Sequence, residues 1–236
     1  MAQSVPSLSI ITHFYNQPEL VLRQIAHWET MSAEVLDQVE FIIVDDCSEQ
    51  VPIYPATRLD LKAFRISTPI TWNQGGARNL ATIHARASWA LYFDIDGWLF
   101  GEPLANILQN VKYCDENMMY HPVYLPTPQR DHDQHVNTFL VNLPRFKLNG
   151  MYDEDFAGYY GYEDNYMLKA WESRVGRRTV LTGGPYFEDV GAPTLHLDRD
   201  DSRNLQLGYA KMTNGFPKSP AILRFNWEYV DVPRSF

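Results

Sequence analysis

Three short segments carry side chains suited to phosphate, metal or proton chemistry. Asp94 and Asp96 stand two apart, directly after the apolar run from Trp89 to Phe93. Carboxylates so placed turn towards one ligand once extended pairing ends. Hard divalent cations such as magnesium or manganese take such oxygens while bridging to substrate phosphates. The same triplet also suits a solvated surface turn, so spacing alone does not separate the two readings. A second apolar run, Glu40 to Val44, ends in Asp45, Asp46, Cys47 and Ser48; these acids either cap a turn or meet a ligand. Glu163 and Asp164 follow a stretch holding Tyr152, Tyr159 and Tyr160. Acids opening a helix suit its dipole. The alternative is a general base that takes a proton from an incoming hydroxyl, with aromatic rings against the apolar face of a sugar.

Asn73-Gln74-Gly75-Gly76-Ala77-Arg78-Asn79 opens a helical pattern that continues through Ala87. Free amides and the positive end of the dipole favour an anion there, and Arg78 adds a charge-assisted contact. The segment is neither a Walker A loop nor a dinucleotide fingerprint. His196 offers an imidazole to a metal or an ordinary loop hydrogen bond; His13, His121, His132 and His135 are weaker candidates. Trp89, Trp171 and Trp227 read as core, whereas Trp98 sits beside the acidic triplet.

The elements that must position these groups alternate. Leu8 to Phe14 reads as a buried strand, and Pro18 to Trp28 as a helix with Val21, Leu22, Ile25 and Trp28 on one face. Further strands are predicted at Glu40 to Val44, Phe64 to Ile66, Trp89 to Phe93, Met118 to Leu125 and Thr138 to Leu143, with a helix from Glu163 to Trp171. Such alternation predicts an α/β fold with a mostly parallel central sheet flanked by helices, and ligands beyond the carboxyl ends of its strands. The polar stretch from Glu188 to Asn204 fits a mobile cover over a site.

At 236 residues and 45% hydrophobic content the chain suits a single domain. A net charge of -9 argues against nucleic acid as a partner. Two cysteines are too few for a disulfide scaffold or a cysteine-based zinc site. No transmembrane run is apparent, which predicts a soluble, cytoplasmic protein. Oligomeric state is not legible.

In order and spacing, Ser9-Ile10-Ile11-Thr12-His13-Phe14-Tyr15-Asn16, Ile43-Val44-Asp45-Asp46-Cys47-Ser48, the Asn73 to Asn79 segment and Tyr92-Phe93-Asp94-Ile95-Asp96 resemble the donor-binding half of GT-A glycosyltransferases, particularly family 2. Gly158-Tyr159-Tyr160-Gly161-Tyr162-Glu163-Asp164 resembles the acceptor motif of family 2 and of galactosyltransferase-like enzymes. The resemblance implies a GT-A domain over 1–236, its donor half near 1–100 and its acceptor half near 101–236. It implies a sugar nucleotide donor, UDP foremost, and a glycan or other hydroxyl acceptor, with inverting transfer dependent on Mn2+ or Mg2+. It implies that Thr12, Phe14, Asp45, Asn73, Arg78 and Asp94 bind the donor. Asp94 and Asp96 then form the Asp-x-Asp motif, His196 assists at the metal, Asp164 is the base and Glu163 its runner-up or an acceptor contact. Family members commonly carry another polar or acidic residue after that motif, where this chain has Gly97-Trp98. A nucleotidyltransferase and a noncatalytic sugar- or nucleotide-binding module remain the alternatives.

Overall fold

Strand β1 (Leu8–Phe14) is buried almost throughout, because helices cover both of its faces. In the computed structural model, which describes residues 5–126, 135–191, 197–219 and 221–235, it lies near the middle of an eight-stranded sheet. Alternate residues feed two cores. Leu8, Ile10 and Phe14 pack with Trp28 and Leu104 on one face; Ile11 packs with Leu80, Phe146 and Trp171 on the other. A strand buried on both faces reads as a continuous apolar run rather than an alternating one.

In chain order, β1 is followed by α1 (Pro18–Trp28), α2 (Ala33–Leu36), β2 (Val39–Asp45), β3 (Leu61–Ile66), α3 (Gln74–His84) and β4 (Trp89–Tyr92). Then come β5 (Gly97–Leu99), α4 (Gly101–Asn110), β6 (Met118–His121), β7 (Phe139–Asn142), α5 (Leu143–Asn149) and α6 (Glu163–Arg174). The last elements are β8 (Arg177–Val180), β9 (Phe187–Asp189), α7 (Ser202–Thr213) and β10 (Trp227–Val230). The sheet order is β10-β3-β2-β1-β4-β7-β6-β8, and β5 pairs with β9 in a separate ribbon. The block β3-β2-β1-β4 is parallel, while β7 and β10 join it antiparallel. From β1 the chain crosses to β2 on one side and returns through α3 to β4 on the other. That reversal leaves a crevice beyond the carboxyl ends of β1 and β4.

Helix α3 stops at His84 rather than running to Ala87. The buried carboxylate of Glu40 accepts the Arg86 backbone N–H at 2.6 Å, and Ala85 turns to extended backbone. Glu40 also takes Lys62 and Ser9, which with Arg86 outweigh the opposing effect of burial and lower its pKa to about 2. The strand expected from Met118 to Leu125 ends at His121, and the chain then makes a lone bridge from Tyr124 to Phe187. Trp227, expected in the core, is 37% exposed, because β10 is an edge strand; Phe64 and His84 lie against its ring. Both cysteines are free thiols. Among the described residues no helix is long and apolar enough to cross a membrane.

Candidate active site

The two acids after β4 sit on a tight turn. The Gly97 N–H donates to the Asp94 carbonyl at 2.8 Å, and the Val190 N–H donates to the Asp96 carbonyl at 3.0 Å. From α1, the buried Gln24 amide donates to the carbonyls of Ile95 and Gly97 at 2.9 and 2.6 Å. The turn packs closely at Gly97: a Cβ would lie 2.9 Å from the Tyr124 hydroxyl and 3.2 Å from the Phe93 ring, so a side chain there would displace them. Trp98 is not among the residues lining the cavity; its ring lies 4.0 Å from that of His27, tilted by 32°, with Arg23 over it.

Asp94 and Arg78 form a pair at the centre of the site. Arg78 is fully buried on α3 and donates to Asp94 Oδ1 at 2.8 Å, to the Asn137 carbonyl at 2.8 Å and to the Tyr152 hydroxyl at 2.9 Å. Asp94 Oδ2 accepts from the Asn137 amide at 3.0 Å, with His135 Nδ1 3.5 Å away. Burial opposes ionisation of Asp94, but Arg78, His135 and His13 hold its pKa below the ordinary carboxylate range. His13, on the same face of β1, is pushed down to about 3 by burial and then by Arg78, so its imidazole is neutral at pH 7.

The acids after β2 divide. Asp45 is turned into structure: Oδ1 accepts the Ser48 N–H at 2.8 Å and Oδ2 pairs with Arg65 at 3.1 Å. Asp46 instead lines the cavity and accepts from the Asn73 amide at 3.1 Å. Burial raises its pKa to about 7, helped by Asp45 and opposed by Asn73. The fold therefore favours the neutral acid, and stability relative to the unfolded chain is lost as pH rises from about 4 through about 7. Asp46→Asn should raise the melting temperature at pH 8, by roughly 1–2 kcal/mol of stability with an effective interior dielectric near 20, and change little at pH 4. Equal melting curves at both pH values would contradict this environment for Asp46.

The cavity, about 290 Å³, opens at the carboxyl ends of β1, β2 and β4. Its wall includes His13, Phe14, Asp46, Asn73, Gln74, Asp94 and Asp96, with Trp72 and Leu197 on the far side. Thr12 does not line it; its side chain is fully buried. The Trp72 indole donates to the Asp198 carbonyl at 2.7 Å, which brings part of the expected cover segment against the cavity. His196 lies outside the described residues.

Glu163 and Asp164 open α6 on the neighbouring wall. Asp164 is 8% exposed; Tyr152 donates to its Oδ1 at 2.9 Å and the Gln74 amide approaches both oxygens at 3.0 Å. Burial raises the pKa of both acids; Asp94 adds to the rise at Asp164, and Asp164 adds to it at Glu163. Tyr162, in the left-handed region at φ 70°, starts the helix, and its ring lies so close to α7 that a Cβ on Gly208 would meet it at 2.2 Å. Asn204 of α7 donates to the carbonyls of Phe156, Tyr159 and Gly161, which fixes the approach to the acids.

The structure thus brings Phe14, Asn73, Arg78, Asp94, Asp96, Glu163 and Asp164 to one region and turns Asp45 and Thr12 inward. Sequence reasoning missed Gln24, Asn137 and the contacts of Tyr152, and it gave no place to His13, which lines the cavity. Strand parity carried one signal: His13 is two positions from Ile11 and so faces α3, the helix that carries Arg78. Among the described residues no group of three His, Cys, Asp or Glu side chains forms a metal cage. Magnesium typically uses one or two carboxylates and completes its shell with phosphate and water. Asp96 lies on the cavity wall, where a carboxylate suits that use, and the two Asp94 oxygens accept from Arg78 and Asn137.

Solved structures share this architecture. S. aureus TarS 1–349 in complex with UDP-GlcNAc superposes with a TM-score of 0.64 at 16% identity, covering 80% of this chain and 60% of that one. The corresponding complex with UDP gives 0.59 at 17% identity, covering 77% and 59%. An uncharacterized glycosyltransferase of Haemophilus influenzae is 32% identical over 119 residues, which are 49% of this chain and 38% of that protein. The chain therefore spans less than two thirds of the length of each of these relatives. Residues 9–167, most of the chain and the carboxyl ends of β1, β2 and β4 where the cavity opens, match the model of glycosyl transferase family 2, and the protein belongs to that family.

Proposed function

We propose that the protein transfers a sugar from a nucleotide diphosphate donor, UDP-linked, to an acceptor hydroxyl with inversion at the anomeric carbon. One observation carries this reading: Gln74, which lines the cavity beside Asp94 and Asp96, also reaches both oxygens of Asp164. A donor diphosphate against the acids and a hydroxyl at Asp164 then meet across one side chain. TarS, described in complex with UDP-GlcNAc, supports UDP as the nucleotide to test first.

Phe14 and Asp46 fit the nucleoside end of the cavity, and Asn73 at the start of α3 fits its phosphates. Asp164 takes the proton from the acceptor hydroxyl, whose oxygen approaches opposite the leaving diphosphate. Asp96 would hold Mn2+ or Mg2+, with Asp94 acting through Arg78 to shape the turn. A cation bound there would neutralise charge on the leaving diphosphate.

The test is a panel of sugar nucleotides with and without manganese, read by thermal stabilisation and donor hydrolysis. Asp96→Ala should weaken metal-dependent donor binding by about tenfold or more, as expected for loss of a charged contact. Unaltered manganese-dependent binding would remove Asp96 from this role. Pyrophosphate release from a nucleoside triphosphate would indicate nucleotidyl transfer, and binding without turnover would indicate a noncatalytic module.

A further inference from the structure

Helix α3 presents Gln74 and Arg78 four residues apart, hence on one face. Both reach the region of Asp164: Gln74 directly at 3.0 Å, and Arg78 through the Tyr152 hydroxyl. Tyr152 is fully buried and gripped by the same helix. Its backbone N–H donates to Asn79 Oδ1 at 3.0 Å, and its carbonyl accepts from Asn79 Nδ2 at 3.0 Å. Gly75 makes room for it, since a Cβ there would stand 3.1 Å from the Tyr152 Cβ. The glycine-containing segment that opens α3 is therefore a cradle for a tyrosine as well as a helix entry.

The chemistry of the chain Arg78–Tyr152–Asp164 fixes its polarity. A guanidinium only donates, so the phenol oxygen must accept from Arg78 and its single proton must point at the Asp164 carboxylate. We infer that Tyr152 and Gln74 are positioning residues that hold the Asp164 carboxylate oriented and ionised for proton abstraction, tying it through Arg78 to the donor-side acid Asp94. This inference rests on the proposal that Asp164 is the base. The groups facing Asp164 are Gln74 and Arg78 from α3, Tyr152 from the segment after α5, Asp94 from the turn after β4 and Glu163 on its own helix. Tyr152, Gln74 and Arg78 favour the carboxylate, while burial and Asp94 oppose it.

The sign follows. Removing the tyrosine hydroxyl takes away a donor to the ionised form, so Asp164 should hold its proton to higher pH. Tyr152→Phe should move the acid limb of the kcat–pH profile upward by about half to one pH unit, with up to about tenfold lower kcat below the limb. Donor KM should stay within about twofold. Gln74→Leu should move the limb in the same direction, and it serves as the reporter should Tyr152→Phe not fold by circular dichroism. An acid limb left in place by both folded variants, while Asp164→Asn abolishes it, would overturn the inference and leave the base assignment standing. A limb and turnover that survive Asp164→Asn would instead overturn the base assignment, and this inference with it.

Discussion

Asp164→Asn should cut turnover by about 10²- to 10⁴-fold, the usual contribution of a positioned general base, with donor affinity within about twofold of wild type. The argument is geometric. Asp164 lies outside the group of residues that line the cavity proposed for the donor, yet Gln74 links it to that cavity. An asparagine keeps the volume and one carbonyl oxygen for Tyr152, but its amide cannot accept a proton and sets an N–H against the Gln74 donor. Nucleotide release measured at saturating donor isolates this loss from binding. Glu163→Gln is the matched control: its carboxylate is half-buried on the same turn of α6, with Oε2 lacking a hydrogen-bond partner among the described residues. If Glu163→Gln shows the large loss and Asp164→Asn turns over normally, the base is Glu163.

Arg78→Met carries the largest expected cost in stability. The substitution leaves Asp94 without its 2.8 Å partner and strips donors from the Asn137 carbonyl and the Tyr152 hydroxyl. Removing one member of a buried ion pair costs about 3–5 kcal/mol, which for a domain of this size lowers the melting temperature by roughly 10 °C. The penalty depends on pH. Asp94 has a depressed pKa in the folded protein, so its pairing stabilises the fold above the ordinary carboxylate range and is lost as pH falls through the depressed value. The gap between wild type and Arg78→Met should thus be widest near pH 7 and narrow below about pH 4. Thermal melts across that range check the claim, and a gap independent of pH would contradict it. Arg78→Lys should fall between the two, since an ammonium keeps the charge but cannot reproduce the fork that reaches three acceptors.

What the sequence made legible follows the physics of burial. β1, β2 and β4 are sealed on both faces, so each is written as a near-continuous apolar run, and the acids that end β2 and β4 mark the carboxyl edge directly. The second half is harder because its strands are short, antiparallel or exposed. β8 reads Arg-Arg-Thr-Val with every residue solvent-exposed, and β10 is a four-residue edge strand, so neither carries a period. Helix α7, with only Asn204 and Gly208 buried, shows no broad apolar stripe. At the site, residue types were readable but partners were not. Asp45 and Asp46 are adjacent and alike in sequence, yet Arg65 captures one and the cavity receives the other. Tyr152 finds Arg78 across 74 positions, and no local pattern encodes that meeting.

The close approach at Gly97 bears on how this site changes over generations of substitution. A side chain at 97, of the acidic or polar kind common in the family, collides with the Tyr124 hydroxyl while Tyr124 is itself tied to Thr138 at 2.9 Å. The two positions therefore do not vary independently. A larger residue at 97 requires the Tyr124 hydroxyl to give way, so substitutions at 97 and 124 should be non-additive in stability, and trimming Tyr124 to Phe should lessen the cost of filling 97.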